Sequence, residues 1–216
     1  MQDLAPPGLQ DLALPEILGV AVFALTGALV AARKEMDPFG FVLLATVTGV
    51  GGGTLRDLLL GQRVFWVSDP RDVLVCAGVA ALAWLLAYMR PGLLVGLSAQ
   101  RALLWADAAG LALFAAAGSL IAQRAGIPFL SAMALGAMTA SFGGMARDVL
   151  AGDVPMLLRS RDFYFTAAAF GAAVTLLCTA LQWPAMAALL VGFAAAFALR
   201  AASILFGWGF PALPKS

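Results

Sequence analysis

Two short stretches place charge where charge is expensive. "GGGTLRD" (51–57) and "GGMARD" (143–148) each set an arginine beside an aspartate, Arg56–Asp57 and Arg147–Asp148, inside long apolar runs, with adjacent glycines just before them. At the centre of a bilayer such a side chain costs roughly 2.5–3.5 kcal/mol on insertion scales, so it marks an ion or substrate pathway by default. The glycines weaken a helix by about 1 kcal/mol each relative to alanine. The row Gly51, Gly52, Gly53 and the pair Gly143, Gly144 therefore predict a kink or a short unwound stretch, whose freed carbonyls must face protein or water, the alternative being close helix packing through small residues. Hydroxyls flank both breaks: Thr46, Thr48 and Thr54 the first, Thr139 and Ser141 the second. They are candidates to line a cation path, and each can instead bond back to its own helix. Phe142 stands where the first stretch has Gly51 and predicts a constriction. Neighbours i and i+1 on a helix do not face each other, so the charges are expected to pair across the two stretches, Arg56 with Asp148 and Arg147 with Asp57.

The two stretches belong to a longer duplication. Displaced by 91 positions, "FALTGALVAAR" (23–33) lies on "FAAAGSLIAQR" (114–124), and "GGTLRDLLLG" (52–61) on "GGMARDVLAG" (143–152). Over 23–61 against 114–152, without a gap, 14 of 39 positions are identical. Alanine and leucine inflate such a count, but glycine pair, Arg-Asp and closing glycine at one offset do not follow from composition. Glu16 and Asp107 are equivalent too, and an acid at a helix N-terminus accounts for both.

The elements that must carry these residues are membrane spans. The chain has 216 residues, 62% hydrophobic and 12% charged, with mean hydropathy +0.95, more apolar surface than a soluble domain can cover. Spans of about 20 apolar residues fall at Pro15–Ala32, Phe39–Leu60, Asp72–Tyr88, Leu103–Gln123, Phe129–Leu150, Phe163–Leu181 and Pro184–Phe206. The fold class is all-α, integral to the membrane, because lipid offers no partner to an open strand. One membrane domain, 1–216, comprises a first repeat (14–89), a second (103–181) and a seventh helix (184–206). A repeat of three spans reverses direction in its second copy, which makes the halves inverted repeats, an architecture of transport proteins.

Between spans, one side holds Arg33, Lys34, Arg90, Arg101, Arg159, Arg161 and Lys215, and the other Arg63, Arg71 and Arg124. Positive-inside then puts the N-terminus outside and the C-terminus in the cytoplasm. The opening "MQDLAPPGLQDLALPE" has no positive n-region, so the first span is expected to be retained. Aromatic residues near span ends, Phe65, Trp66, Trp84, Tyr88, Trp105 and Trp183, fit an interfacial belt. The chain has no histidine, which removes His-based acid–base catalysis, histidine triads and histidine metal ligands. Cys76 and Cys178 fit small buried hydrophobes. No basic run points to nucleic acid. An enzyme is not expected.

Two three-span repeats, a seventh span, and "GGGTLRD" mirrored by "GGMARD" resemble the bacterial members of the trimeric intracellular cation (TRIC) channel family, over roughly residues 14 to 206. The resemblance implies a homotrimer in the cell's inner (plasma) membrane with a pore inside each protomer, permeable to monovalent cations and chiefly potassium. It implies that the glycine-kinked second and fifth spans line that pore. By position the lining is Gly51, Gly52, Gly53, Arg56 and Asp57 with Gly143, Gly144, Arg147 and Asp148; Thr48, Thr54, Thr139 and Ser141 join it on the reading of the residues beside the breaks. No cofactor is implied; the small partners are permeant potassium or sodium ions and bound lipid. Animal relatives are lipid-regulated through basic residues near the second kink, where this chain has only Arg147. The alternative is a secondary transporter for a small solute such as glycine, which inverted repeats with broken helices serve equally well.

Overall fold

The computed structural model describes residues 12–159 and 162–210. Arg161 and Lys215 of the charge count, and the segment before Leu12, lie outside the described residues. Helix follows helix throughout: α1 (Ala13–Arg33), α2 (Pro38–Leu59), α3 (Phe65–Ser68), α4 (Arg71–Met89), α5 (Leu97–Arg124), α6 (Phe129–Leu150), α7 (Met156–Arg159), α8 (Phe165–Ala180) and α9 (Ala185–Phe206). Six of these are long and apolar enough to cross a membrane, and α8 is a shorter apolar helix. A helix stands at each of the seven expected positions, six of them of spanning length. The fourth starts earlier than expected, at Leu97 instead of Leu103, because Ser98, Gln100 and Arg101 depress the hydropathy of turns that are nonetheless helical.

Local signals set the ends. Asp37 caps α2 by accepting the Gly40 N–H at 2.7 Å, with Pro38 at the first helical position. α2 and α6 close alike. Gly61 (φ 64°) and Gly152 (φ 72°) take the left-handed conformation that glycine permits. The next N–H, of Gln62 or Asp153, then turns back to the carbonyl of Asp57 or Asp148, 2.9 Å in each case. The short helices α3 and α7 follow these turns, 91 residues apart (156 against 65). Four residues are too few for a periodic signal, and neither is evident in the sequence.

α1, α2, α5 and α6 form the centre. α4 packs outside α1 and α2, α8 outside α5 and α6, and α9 against α5 and α8. The Phe23 and Phe114 rings meet between α1 and α5, centroids 5.2 Å apart and tilted by 32°. The chain stays thin there because a Cβ on Gly19 would meet Phe114 at 3.0 Å and one on Gly110 would meet Phe23 at 2.4 Å. At one end, Arg33 and Lys34 both pair with Asp153, Lys34 Nζ at 2.7 Å, tying the end of α1 to the turn beyond α6.

Candidate functional site

The glycine stretches meet. A Cβ on Gly52 would lie 2.0 Å from the Thr139 carbonyl oxygen, and a Cβ on Gly143 would lie 2.3 Å from that of Thr48. Gly51 faces the Gly143 backbone across the same contact, at 3.7 Å. As the α2 number falls from 52 to 48 the α6 number rises from 139 to 143, so the helices cross antiparallel. Their carboxyl ends lie at opposite ends of this seam. The unwound stretch expected at the glycines is absent, since helix runs unbroken from Pro38 to Leu59 and from Phe129 to Leu150. What the glycines provide is close backbone approach, the use that small residues have between membrane helices.

Each Arg-Asp motif builds the same cluster. Arg56 Nε donates to Asp57 Oδ1 at 2.8 Å and its Nη1 to Glu16 Oε1 at 2.8 Å. Arg147 Nε donates to Asp148 Oδ1 at 2.8 Å and its Nη1 to Asp107 Oδ1 at 3.0 Å. The second oxygen of each aspartate accepts the first N–H of the short helix, Phe65 or Met156, at 2.9 Å. The expected pairing across the seam, Arg56 with Asp148 and Arg147 with Asp57, is therefore wrong. Each arginine finds a nearer acid on the first span of its own repeat, and its long stem also folds back to the adjacent aspartate, which turns to hold the return segment. Glu16 and Asp107 are arginine partners. The helix-terminus account fails outright for Asp107, which α5 places well inside the helix.

The clusters differ in depth. The Arg147 and Asp107 side chains are 0% and 1% exposed, and Arg147 Nη1 also donates to Thr26 Oγ1 at 2.8 Å. The Glu16 side chain is 21% exposed. Among the described residues, Arg147 Nη2 and Asp107 Oδ2 have no hydrogen-bond partner.

The hydroxyls take the local option. Thr48, Thr54, Thr139 and Ser141 donate to the carbonyls of Leu44, Val50, Leu135 and Ala137 at 2.5–2.8 Å, each four residues back. Their donors are used, and what each can offer an ion is a lone pair. Phe142 is half-buried and borders Gly51 at 4.0 Å. With Thr46, Val50, Leu58 and Trp66 it lines an apolar hollow of about 420 Å³.

Two aromatic residues assigned to an interfacial belt turn inward. Trp66 Nε1 donates to Thr54 Oγ1 at 2.9 Å, and the Phe65 ring lies 5.9 Å from the Arg56 guanidinium. Tyr164 and Arg200 were not singled out by sequence. Arg200 is 2% exposed and lies 5.0 Å from the Tyr164 ring, whose hydroxyl sits beside Gly144. The available signal was an arginine well inside the apolar seventh span.

A family model described as a glycine transporter matches residues 13–88 and 104–180, two blocks whose starts are 91 apart (104 against 13). A UPF0126 membrane protein of Vibrio cholerae is 39% identical over 206 residues, 92% of this chain and 81% of its own. A UPF0126 inner membrane protein of Escherichia coli is 42% identical over 164 residues, 74% of each. The crystal structure of the TRIC trimeric intracellular cation channel orthologue from Rhodobacter sphaeroides matches with TM-score 0.83 at 49% identity, covering 90% of this chain and 97% of that one. The chain belongs to the TRIC channel family. A prokaryotic TRIC channel crystallised in 0.5 M KCl matches at TM-score 0.83 and 27% identity, covering 93% of this chain and 99% of that one. Like these relatives, this TRIC member is a membrane protein, with its charged motifs turned in among the central helices.

Proposed function

We propose that this protein is a monovalent-cation channel, permeable to potassium, that conducts through each protomer along the α2–α6 seam. The observation that carries the proposal is the seam itself: two equivalent glycine stretches crossing antiparallel, each helix leading on to a buried Arg–acid cluster, in a chain 49% identical to a cation-channel orthologue. The antiparallel crossing of equivalent helices, and the two blocks of the family match, support inverted repeats. Polar atoms without a partner among the described residues, Arg147 Nη2 and Asp107 Oδ2, favour water beside the seam, because buried polar groups are ordinarily satisfied. Gly51 to Gly53 and Gly143 to Gly144 are where the helices bend when the path opens. Thr48, Thr54, Thr139 and Ser141, with the charged pairs, line it, and Phe142 narrows it. The assembly is a homotrimer in the inner membrane, N-terminus outside and C-terminus cytoplasmic, in contact with lipid.

The second reading is a carrier for glycine, favoured by the description of the matching family model. Ionic current from purified protein in a planar bilayer, under a potassium gradient, decides between them. Discrete steps reversing near the potassium potential establish the channel, and replacing potassium by sodium on one side measures selectivity. Asp148→Asn is expected to change open probability or conductance. Silent bilayers, with saturable glycine uptake into liposomes from the same preparation, establish the carrier and sink the channel.

A further inference from the structure

The second glycine of each pair faces away from the seam contact and meets an aromatic side chain. A Cβ on Gly53 would lie 2.6 Å from Phe65 Cε1, and one on Gly144 would lie 3.2 Å from the Tyr164 hydroxyl. Gly53 and Gly144 are equivalent in the repeat, but Phe65 and Tyr164 are not. The counterpart of Phe65 is Met156, and that of Tyr164 is Val73. Equivalent glycines are thus covered by aromatic residues that the chain delivers by different routes. Packing inherited through duplication would have reused position 156.

Each aromatic residue is held by an arginine and by a strap of backbone. Phe65 opens α3, its N–H held by Asp57 and its ring by the Arg56 guanidinium. Tyr164 lies under the Arg200 guanidinium, which the seventh span supplies. The segment carrying it is tied to α9: Phe163 N–H donates to Ser203 Oγ at 3.0 Å, Ser203 Oγ donates to the Trp208 carbonyl at 2.6 Å, and Arg200 Nη1 reaches Asp162 Oδ2 at 3.5 Å. α2 and α6 cross antiparallel, and each aromatic residue comes from chain just beyond the carboxyl end of its helix. The two therefore stand at opposite ends of the seam.

The geometry points to Phe65 and Tyr164 as paired aromatic stops, one at each end of the α2–α6 seam, that must leave Gly53 and Gly144 for cations to pass. This inference rests on the channel reading and adds how the path is shut. The Phe65 ring offers a hydrated cation no ligand, and the Tyr164 phenol fills the space beside Gly144, where its hydroxyl stands with the Asp107 and Arg147 side chains. Phe65 is half-buried with one guanidinium over it, whereas Tyr164 is 3% exposed with its hydroxyl among Asp107 and Arg147. The Phe65 end is the easier to open.

The test is single-channel recording of the full chain as wild type, Phe65→Ala, Tyr164→Ala, the double variant and Tyr164→Phe. Stops in series predict a several-fold rise in open probability for each alanine variant, a largely open double variant, and a smaller rise for Tyr164→Phe, which keeps the ring but loses the hydroxyl that faces Gly144. A conducting wild type whose alanine variants match it in open probability and conductance overturns the stops while leaving the channel intact. A wild type that carries no current fails the channel reading, and the stops with it. Should an alanine variant not fold, Phe65→Cys in a Cys76→Ala/Cys178→Ala background replaces it. Modification by a charged thiol reagent is expected to proceed with channel opening and to raise the current, and modification that leaves the current unchanged counts against the stops.

Discussion

Removing the Arg147 guanidinium leaves Asp107 and Asp148 close together without a countercharge, among side chains 0–4% exposed. Breaking a buried pair by deleting one partner costs about 3–5 kcal/mol. Arg56 makes the same two bonds, but its partner Glu16 is 21% exposed in its side chain and can recover water. Arg147→Ala is therefore expected to lower the thermal midpoint in detergent by on the order of 10 °C, and Arg56→Ala by about half as much. Equal losses would mean that exposure of Glu16 does not relieve the stranded charge. Arg147→Lys tests geometry separately from charge. An ammonium keeps the charge but loses the planar fork that serves Asp107, Asp148 and Thr26 together, so most of the loss is expected to persist.

At the scale of the helices, the close crossing of α2 and α6 is the feature that sequence gave only indirectly. Gly52→Ala puts a methyl 2.0 Å from the Thr139 carbonyl and Gly143→Ala puts one 2.3 Å from that of Thr48, so both must force the helices apart. Gly78, in α4, has nothing within 4 Å of its added Cβ. Gly78→Ala is expected to be neutral or stabilising, by up to about 1 kcal/mol from helix propensity. Gly52→Ala and Gly143→Ala are expected to destabilise by at least 1–3 kcal/mol, the usual penalty of overpacking. A thermal midpoint of Gly52→Ala at or above that of Gly78→Ala would refute the seam. The span pattern was legible because a bilayer demands about 20 apolar residues per crossing, and the motif because charge is conspicuous in such a run. The partners were not legible. Glu16 and Arg56 are 40 residues apart, as are Asp107 and Arg147, and rules for neighbours on one helix say nothing about which acid a folded repeat brings to its arginine. Nor do they reveal that adjacent glycines are used for approach across a seam while the helix stays continuous.

For the molecule as a whole, the seams that matter run between the two matched halves. α1 packs on α5 through Phe23 and Phe114, each seated over a glycine of the other helix. α2 packs on α6 at the glycine crossing, Arg147 reaches Thr26 on α1, and Asp153 takes Arg33 and Lys34. A half expressed alone would leave bare glycine backbone and one side of each contact facing lipid. Apolar surface alone does not drive helices together in a bilayer, so the halves are held by this close packing and by the polar bonds that cross it. Residues 1–91 and 92–216, cut in the turn before α5, are expected to co-purify when expressed together. They should recover the thermal transition of the intact chain to within several degrees, while either half alone aggregates or is degraded. The 92–216 piece, which keeps the Asp107–Arg147–Asp148 cluster and the α9 strap, is expected to be the longer-lived of the two. If the halves insert and fold independently with no affinity for each other, the seams are incidental contacts and α2 and α6 are not one functional unit. If they associate only while Gly52 and Gly143 are both intact, the crossing of equivalent helices is what makes the duplicated chain a single molecule.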